Sequence, residues 1–460
     1  MARIRAFRGW RYDTARVGDL ARVMAPPYDA IDATLAPRLV RRHPRNAVRL
    51  IWTGDATRPS PVAGATPGAS WGGASRRGPY EDAARVLREW MADGTLVREP
   101  RPALYGYAQT YRDPEGEERT QLGFMAAVEL APYGHGIHPH ERTHAPYVED
   151  RLALLRATRA HVSPIFGLYS DPEHHILGLL RSSPHDGEVR WSDTDRVAHA
   201  LWVVDEPGLI DTLDEAMRSR DIVIADGHHR YQAALRYLQE CRPVADGARD
   251  ATVTNDPAVP APAAAGGDGA DQVLMFLTAM EDRGSMVLPI HRSIAGIRRE
   301  AVEQLVDALA AEARIELAGD LDQAMAAVGI EARSSRPAAA GDASRLIRFV
   351  LLTRHQARIV SVPATPETTA AAVATRLVIE RGLGWDPEEA ARDGRLTYTS
   401  GWRETAAGVL TGHHAAACLL PATPVEQIVA TARAGRTLPP KSTYFHPKVP
   451  TGPVMHVIDR

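Results

Sequence analysis

Cysteine is almost missing from this chain: Cys241 and Cys418 are the only two in 460 residues. So few, so far apart, exclude a disulfide framework or a cysteine-built zinc site, and they fit a reducing compartment. Long apolar runs are missing too. No stretch approaches the roughly 20 residues that span a bilayer, so no membrane span is expected. The start, Met1-Ala-Arg-Ile-Arg-Ala-Phe-Arg8, is basic but lacks the apolar core and small-residue cleavage site of an export signal, so a cytoplasmic location is expected. A formal net charge of -3 leaves no global basic footprint, which argues against a nucleic-acid partner. What is present, 44% hydrophobic and 24% charged residues, is the make-up of an ordinary globular protein, and this length calls for two or three packed units. Arginine far outnumbers lysine, and Ala, Pro and Gly are abundant, a bias that inflates apparent low complexity.

Three stretches read as loops or insertions, Thr53 to Pro79, Pro243 to Ala270 and Glu331 to Ser344, each dense in small or turn-forming residues. Between them the apolar pattern is regular. Ala83, Val86, Leu87 and Trp90 recur at helical spacing within Pro79 to Met91, and Asp93-Gly94 ends that helix. Ala103 to Tyr111 alternates like a strand and pairs, across a turn at Asp113 to Glu117, with Gln121 to Leu130. A helix is expected over Tyr147 to Ala160, with acids at its start and arginines near its end. Asp221 to Ala225 reads as a buried strand and Tyr231 to Glu240 as a helix, so the polar residues between them occupy a strand-to-helix turn. Val273 to Met280 and Leu346 to Thr353 read as strands; Val302 to Ala313, Thr368 to Gly382 and Pro424 to Ala434 read as helices.

That turn, Asp226-Gly227-His228-His229-Arg230, is the most informative cluster. Gly227 permits a tight turn, and the helix beyond offers unsatisfied N–H groups and a positive dipole end to an anion. Arg230 adds a forked donor for phosphate oxygens, His228 and His229 can donate or shuttle protons, and Asp226 can hold a metal or orient a histidine. An isolated Asp-Gly here would be read as a helix cap and nothing more. Five such residues together favour function.

The box Ala225 to Leu235 resembles the Asp-Gly-His-His-Arg box of the ParB and sulfiredoxin-like fold, in which free serine kinases occur. More closely, the chain resembles domain-of-unknown-function family 1015. The matching pieces are Ala25-Pro-Pro-Tyr-Asp29, His138-Pro-His-Glu-Arg-Thr143, Glu149-Asp-Arg151, Pro164-Ile-Phe166, Ala225 to Leu235, Leu288-Pro-Ile-His-Arg292 and Pro440-Lys-Ser-Thr-Tyr-Phe-His-Pro-Lys448. By that resemblance Glu141 matches the glutamate that acts on the substrate hydroxyl, and Asp226, Gly227 and Arg230 match the nucleotide-phosphate box, with Arg142 and Thr143 also placed to touch phosphate. A kinase-like phosphotransferase is implied, with ATP or ADP as donor, Mg²⁺ as cofactor with Asp226 as its ligand, and free serine or a related hydroxylated metabolite as acceptor. Its catalytic residues would be Glu141, His228 and His229.

Two further clusters compete for attention. His140-Glu141-Arg142-Thr143-His144 matches the His-Glu-x-x-His zinc pattern, but Pro139 and Pro146 bracket it, and a proline in a helix interior costs about 3 kcal/mol, so zinc is not expected. A metal-dependent hydrolase using His135 to His144, and a nucleotide-binding regulator of the ParB type, are the alternatives. Lys441, Ser442 and Thr443, with Lys448, suit phosphate or carboxylate recognition, although the glycine spacing of a P-loop is lacking. The fold class expected is α+β: a mixed sheet with a ParB/sulfiredoxin-like nucleotide-binding core plus an additional α/β C-terminal region. The expected division is an N-terminal α/β region at 1–130, the catalytic core at 131–242, a flexible insertion at 243–270 and the C-terminal region at 271–460.

Overall fold

A computed structural model describes residues 2–52, 78–241, 269–330, 346–365 and 368–459. The three loop-like stretches expected from the sequence fall almost wholly outside the described residues; Pro79 itself opens a helix. Contacts divide the described chain into two units, one made of 2–52, 78–241, 269–285 and 447–459, the other of 286–446. Among the described residues no helix is long and apolar enough to cross a membrane.

The first unit is built on a nine-stranded mixed sheet. In chain order its strands are β1 (Ile4–Arg5), β2 (Leu104–Arg112), β3 (Glu118–Glu129), β4 (Ile137–Pro139), β5 (Ile165–Tyr169), β6 (Asp186–Ser192), β7 (Ala198–Val204), β8 (Ile222–Asp226) and β9 (Gln272–Ala279). Across the sheet they run β4-β8-β5-β9-β3-β2-β7-β6, with β1 added to β3. The expected hairpin is present as β2 and β3, an antiparallel pair closed through Asp113, whose carboxylate accepts the Glu115 and Glu117 amides.

Three helices of this unit carry or support the motif residues. The first, α1 (Pro79–Ala92), starts with proline in its first turn, carries Glu81 and Asp82 there to complement the dipole, and buries Ala83, Ala84, Leu87 and Trp90. Val86, expected on that face, is only half-buried. The second, α2 (Ala145–Thr158), packs on the third, α3 (His228–Cys241), which begins three residues earlier than the apolar period indicates. Periodicity needs several turns to register, so the polar first turn of α3 escapes it.

The expected boundaries at residues 130/131 and 270/271 fall inside this unit. Strand β3 bonds along its length to β9, Met125 opposite Phe276. Pairing between strands separated by some 150 residues leaves no local compositional trace.

The second unit has a six-stranded antiparallel sheet: β10 (His291–Ile294), β11 (Arg314–Leu317), β12 (Leu346–Thr353), β13 (Ala357–Pro363), β14 (Leu396–Thr399) and β15 (Ala416–Leu419), in the order β11-β13-β12-β15-β10-β14. Alternation along β12 sends Phe349 and Leu351 to one core and Val350 and Leu352 to the other. The helix expected over Thr368 to Gly382 is a short α-helix, Ala370–Ala374, continued as a π-helix, Thr375–Gly382. A 3.6-residue period does not distinguish the two.

Candidate functional site

Strand β4 pairs in parallel with β8, Ile137 opposite Ile222 and Pro139 opposite Ile224. Parallel pairing delivers the residues beyond both strands to the same end of the sheet. Two segments about 85 residues apart in sequence, 140–144 and 226–230, are therefore neighbours. This is the edge of an α/β sheet at which ligands commonly bind, outside the carboxyl ends of parallel strands. An irregularity between Ile224 and Asp226, where β8 meets β5, turns Asp226 out of regular register, and Gly227 at φ 99° then swings the chain into α3.

His228 and His229 each reach across to the neighbouring segment. The His140 amide donates to His228 Nε2 at 3.3 Å and the His144 amide to His229 Nε2 at 3.1 Å. These two bonds bracket Glu141, Arg142 and Thr143 and hold them as a strap. His140 Nδ1 lies 2.7 Å from the Ile224 carbonyl, which only accepts, so Nδ1 carries the proton and donates. Burial pushes the His140 imidazole below its usual range, Glu141 and Asp226 acting in the opposite sense. Burial, reinforced by His140, His229 and Arg230, holds His228 well below it. A neutral His228 accepting at Nε2 carries its proton on Nδ1, so Nε2 is committed to the strap. The role of proton shuttle expected for these histidines is thereby narrowed: as placed, they position a loop.

Within the strap Glu141 and Thr143 are half-buried and Arg142 is exposed. The strap is not helical; α2 begins only at Ala145, with Pro146 in its first turn. His140 and His144 are therefore not stacked one helical turn apart. Among the described residues no group of three His, Cys, Asp or Glu side chains is arranged to hold a metal ion.

Asp226 bridges two cations. Its Oδ2 accepts from Arg230 Nη2 at 2.7 Å and its Oδ1 from Lys448 Nζ at 2.9 Å. Arg230 folds back over Gly227 and also donates from Nη1 to the Pro164 carbonyl. A side chain added at Gly227 would meet that guanidinium at about 3 Å. Lys448 reaches a second carboxylate, Asp29 Oδ2, at 2.6 Å. Burial alone would lower the Lys448 ammonium, but Asp226 and Asp29 outweigh it and hold it firmly protonated. Each Asp226 oxygen already accepts from a cation, so a divalent ion there would share the carboxylate with Arg230 and Lys448.

Within the first unit, residues of two further motif pieces meet one another. The Arg151 guanidinium lies 4.4 Å from the Tyr28 ring centre and pairs with Asp150, which also accepts from the Tyr80 hydroxyl at 3.0 Å. The C-terminal segment reaches the site by pairing Thr451 with Ala25 and bonding Ser163 Oγ to Thr451 Oγ1 at 2.6 Å. Asp29, Lys448, His140 and His144 thus join Asp226, Gly227, His228, His229, Arg230, Glu141, Arg142 and Thr143. Lys441, Ser442 and Thr443 belong to the second unit.

Sequence reasoning grouped Lys448 with Lys441, Ser442 and Thr443 and not with Asp226, though a signal existed. Lys441 and Lys448 are the only lysines in a chain with 54 lysines and arginines combined. Where arginine has almost entirely replaced lysine, a retained lysine marks a place that needs a compact ammonium rather than a planar fork.

The chain belongs to the DUF1015 family, proteins of unknown function, whose model matches residues 4–379. Among solved structures it is similar to a conserved hypothetical protein from Pyrococcus furiosus, at 14% identity over 70% of this chain and 94% of that one, with a TM-score of 0.34. It is also similar to a free serine kinase in complex with AMP, at 13% identity over 72% and 93% of the two chains, with a TM-score of 0.36. A third is SbnI with a C-terminal truncation from Staphylococcus aureus, at 11% identity over 70% and 85%, with a TM-score of 0.31. No curated protein matches the chain.

Proposed function

We propose that this chain transfers a phosphoryl group between a nucleotide, ATP or ADP, and a small hydroxylated metabolite such as free serine. The observation that carries the reading is the meeting of Lys448 and Arg230 on Asp226 at the start of α3. Two cations beside the N-terminus of a 14-residue helix form a place where phosphate oxygens are stabilised by charge, by N–H groups and by the helix dipole together. Asp226 and Asp29 keep those cations aimed before any ligand arrives, which spares the site reorganisation when phosphate binds. The proposal takes the first unit's sheet as a ParB/sulfiredoxin-like nucleotide-binding core, as the box Ala225 to Leu235 implies.

Glu141 is the general base in this reading. A carboxylate within reach of a hydroxyl removes its proton as the oxygen attacks phosphorus, while Arg230 and Lys448 offset the charge on the transferred group. Arg142 and Thr143, on the same strap, are placed to contact phosphate, and Gly227 permits close approach of the backbone. His228 and His229 fix the strap, and with it the distance between base and phosphate. Mg²⁺ held at Asp226 would share that carboxylate with Lys448 and Arg230 and would supply further positive charge to the phosphates.

Calorimetric titration of ATP and ADP, each with and without Mg²⁺, into the wild type and Asp226→Ala tests the nucleotide site. Saturable binding of one nucleotide to the wild type that disappears in the variant is the expected result. Absence of binding by a folded wild-type protein overturns the proposal.

A further inference from the structure

Among the described residues of the second unit, one buried positive charge has no anion to meet it. Arg292, on β10, is fully buried. Its Nη1 donates to the Ile290 carbonyl, its Nη2 to the Lys441 carbonyl at 3.3 Å, and its guanidinium lies 5.6 Å from the Tyr398 ring centre. Its Nε is buried without an acceptor. Among the described residues no carboxylate pairs with it, and the titratable groups that act on it are Tyr398 and Cys418. Burial pushes the Cys418 thiol up to about 12 and the neighbouring His291 down to about 3, so both are neutral, and burial raises Tyr398 as well. A guanidinium in a dry and neutral setting is among the costliest groups a protein can bury, and carbonyls and one ring compensate it only in part.

The turn that faces it is also unusual. Lys441 has a left-handed backbone, φ 59°, a conformation that residues other than glycine rarely adopt, and it is from this residue that the carbonyl meets Arg292. Ser442 Oγ donates to the Pro439 carbonyl at 2.6 Å and closes the turn. Pairing of Met286–Leu288 with Tyr444–His446 ties the turn to the chain that leads into β10. Two motif pieces, Leu288 to Arg292 and Pro440 to Tyr444, are thereby joined within one unit. The turn also holds the other of the chain's two lysines.

We propose that Arg292 is the base of an oxyanion-binding site in the second unit, taking the carboxylate or phosphate of a small metabolite, with the Lys441–Thr443 turn as its rim. The buried Nε, which has no acceptor, offers one donor of the guanidinium fork that oxyanions accept from. This site does not depend on the phosphotransfer reading.

The test is calorimetric titration of inorganic phosphate, pyrophosphate and malonate into the full chain with Arg292 intact, Arg292→Met or Arg292→Lys, each in an Asp226→Asn background that disables the first unit's phosphate site. At least one anion is expected to bind the background protein, with affinity falling roughly a hundredfold when Arg292→Met is added and about tenfold with Arg292→Lys. Preference for phosphate or for malonate names the source of the oxyanion. The proposal is overturned if none of the three binds the Asp226→Asn protein with Arg292 intact, or if adding Arg292→Met leaves the affinity unchanged. Should Arg292→Met fail to fold, Arg292→Lys decides: unchanged affinity in that variant also overturns it.

Discussion

Asp29 and Lys448 stand 419 residues apart in the chain and 2.6 Å apart in the first unit, carboxylate against ammonium. Asp226 closes the same ammonium from its other side at 2.9 Å. Removing the lysine therefore leaves two carboxylates facing each other, the arrangement in which breaking a largely buried pair is most destabilising. Lys448→Met is expected to cost about 2–4 kcal/mol in urea unfolding, and Asp29→Asn, which leaves Lys448 with Asp226, distinctly less. Lys448→Arg is expected to fold yet lose nucleotide affinity, since a planar fork does not replace a point charge between two carboxylates. A Lys448→Met variant as stable as the wild type contradicts this account.

The strap makes a second prediction. Arg142 is exposed and sits between the two amides held by His228 and His229. Each such bond contributes on the order of 1 kcal/mol. Replacing both histidines by alanine is expected to raise the rate of tryptic cleavage after Arg142 about tenfold or more, because local opening governs cleavage when closing is fast. Equal cleavage rates would show that the histidines do not restrain the strap.

Buried histidines set the acid limit of stability. His140 and His228 are lowered by burial, His161 to about 3 and His456 to about 4. In the unfolded chain each takes a proton below about pH 6.5. The unfolded state therefore binds more protons below that pH, and stability falls as pH drops from 6.5 toward the folded values. A whole unit above pH 6.5 the contribution is nearly complete. Each histidine adds a slope of up to about 1.4 kcal/mol per pH unit. Urea midpoints at pH 7.5, 6.5 and 5.5 should fall modestly over the first step and more steeply over the second; a larger fall over the first step, or none over either, contradicts the assignment.

Much of this could be read from residues alone. The alternation in β2, the turn that joins it to β3, the apolar period of α1 and the strand-turn-helix around Asp226 are all local signals. The convergence of 140–144 with 226–230 could be expected only through the family resemblance, since it depends on the parallel pairing of β4 with β8. What each side chain does at the site was less legible. His228 and His229 have the residue type of proton carriers, but their Nε2 atoms accept backbone amides, a fact set by tertiary placement. Asp226 has the residue type of a metal ligand, but Lys448 arrives from the far end of the chain to occupy it. The scarcity of lysine was the one unused clue that points to that residue from sequence alone.

The central claim, that Glu141 on the strap acts upon a substrate hydroxyl while Arg230 and Lys448, aimed by Asp226, hold the phosphates, is tested most directly by phosphoryl transfer. Purified wild type and Glu141→Gln are incubated with radiolabelled nucleotide and free serine, and the phosphorylated product is counted alongside calorimetric nucleotide affinity. The account predicts transfer by the wild type, a loss of at least a hundredfold in Glu141→Gln, consistent with removal of a general base, and nucleotide affinity unchanged in that variant. Full transfer by Glu141→Gln, or nucleotide binding without transfer to serine or any hydroxylated acceptor offered, would contradict it.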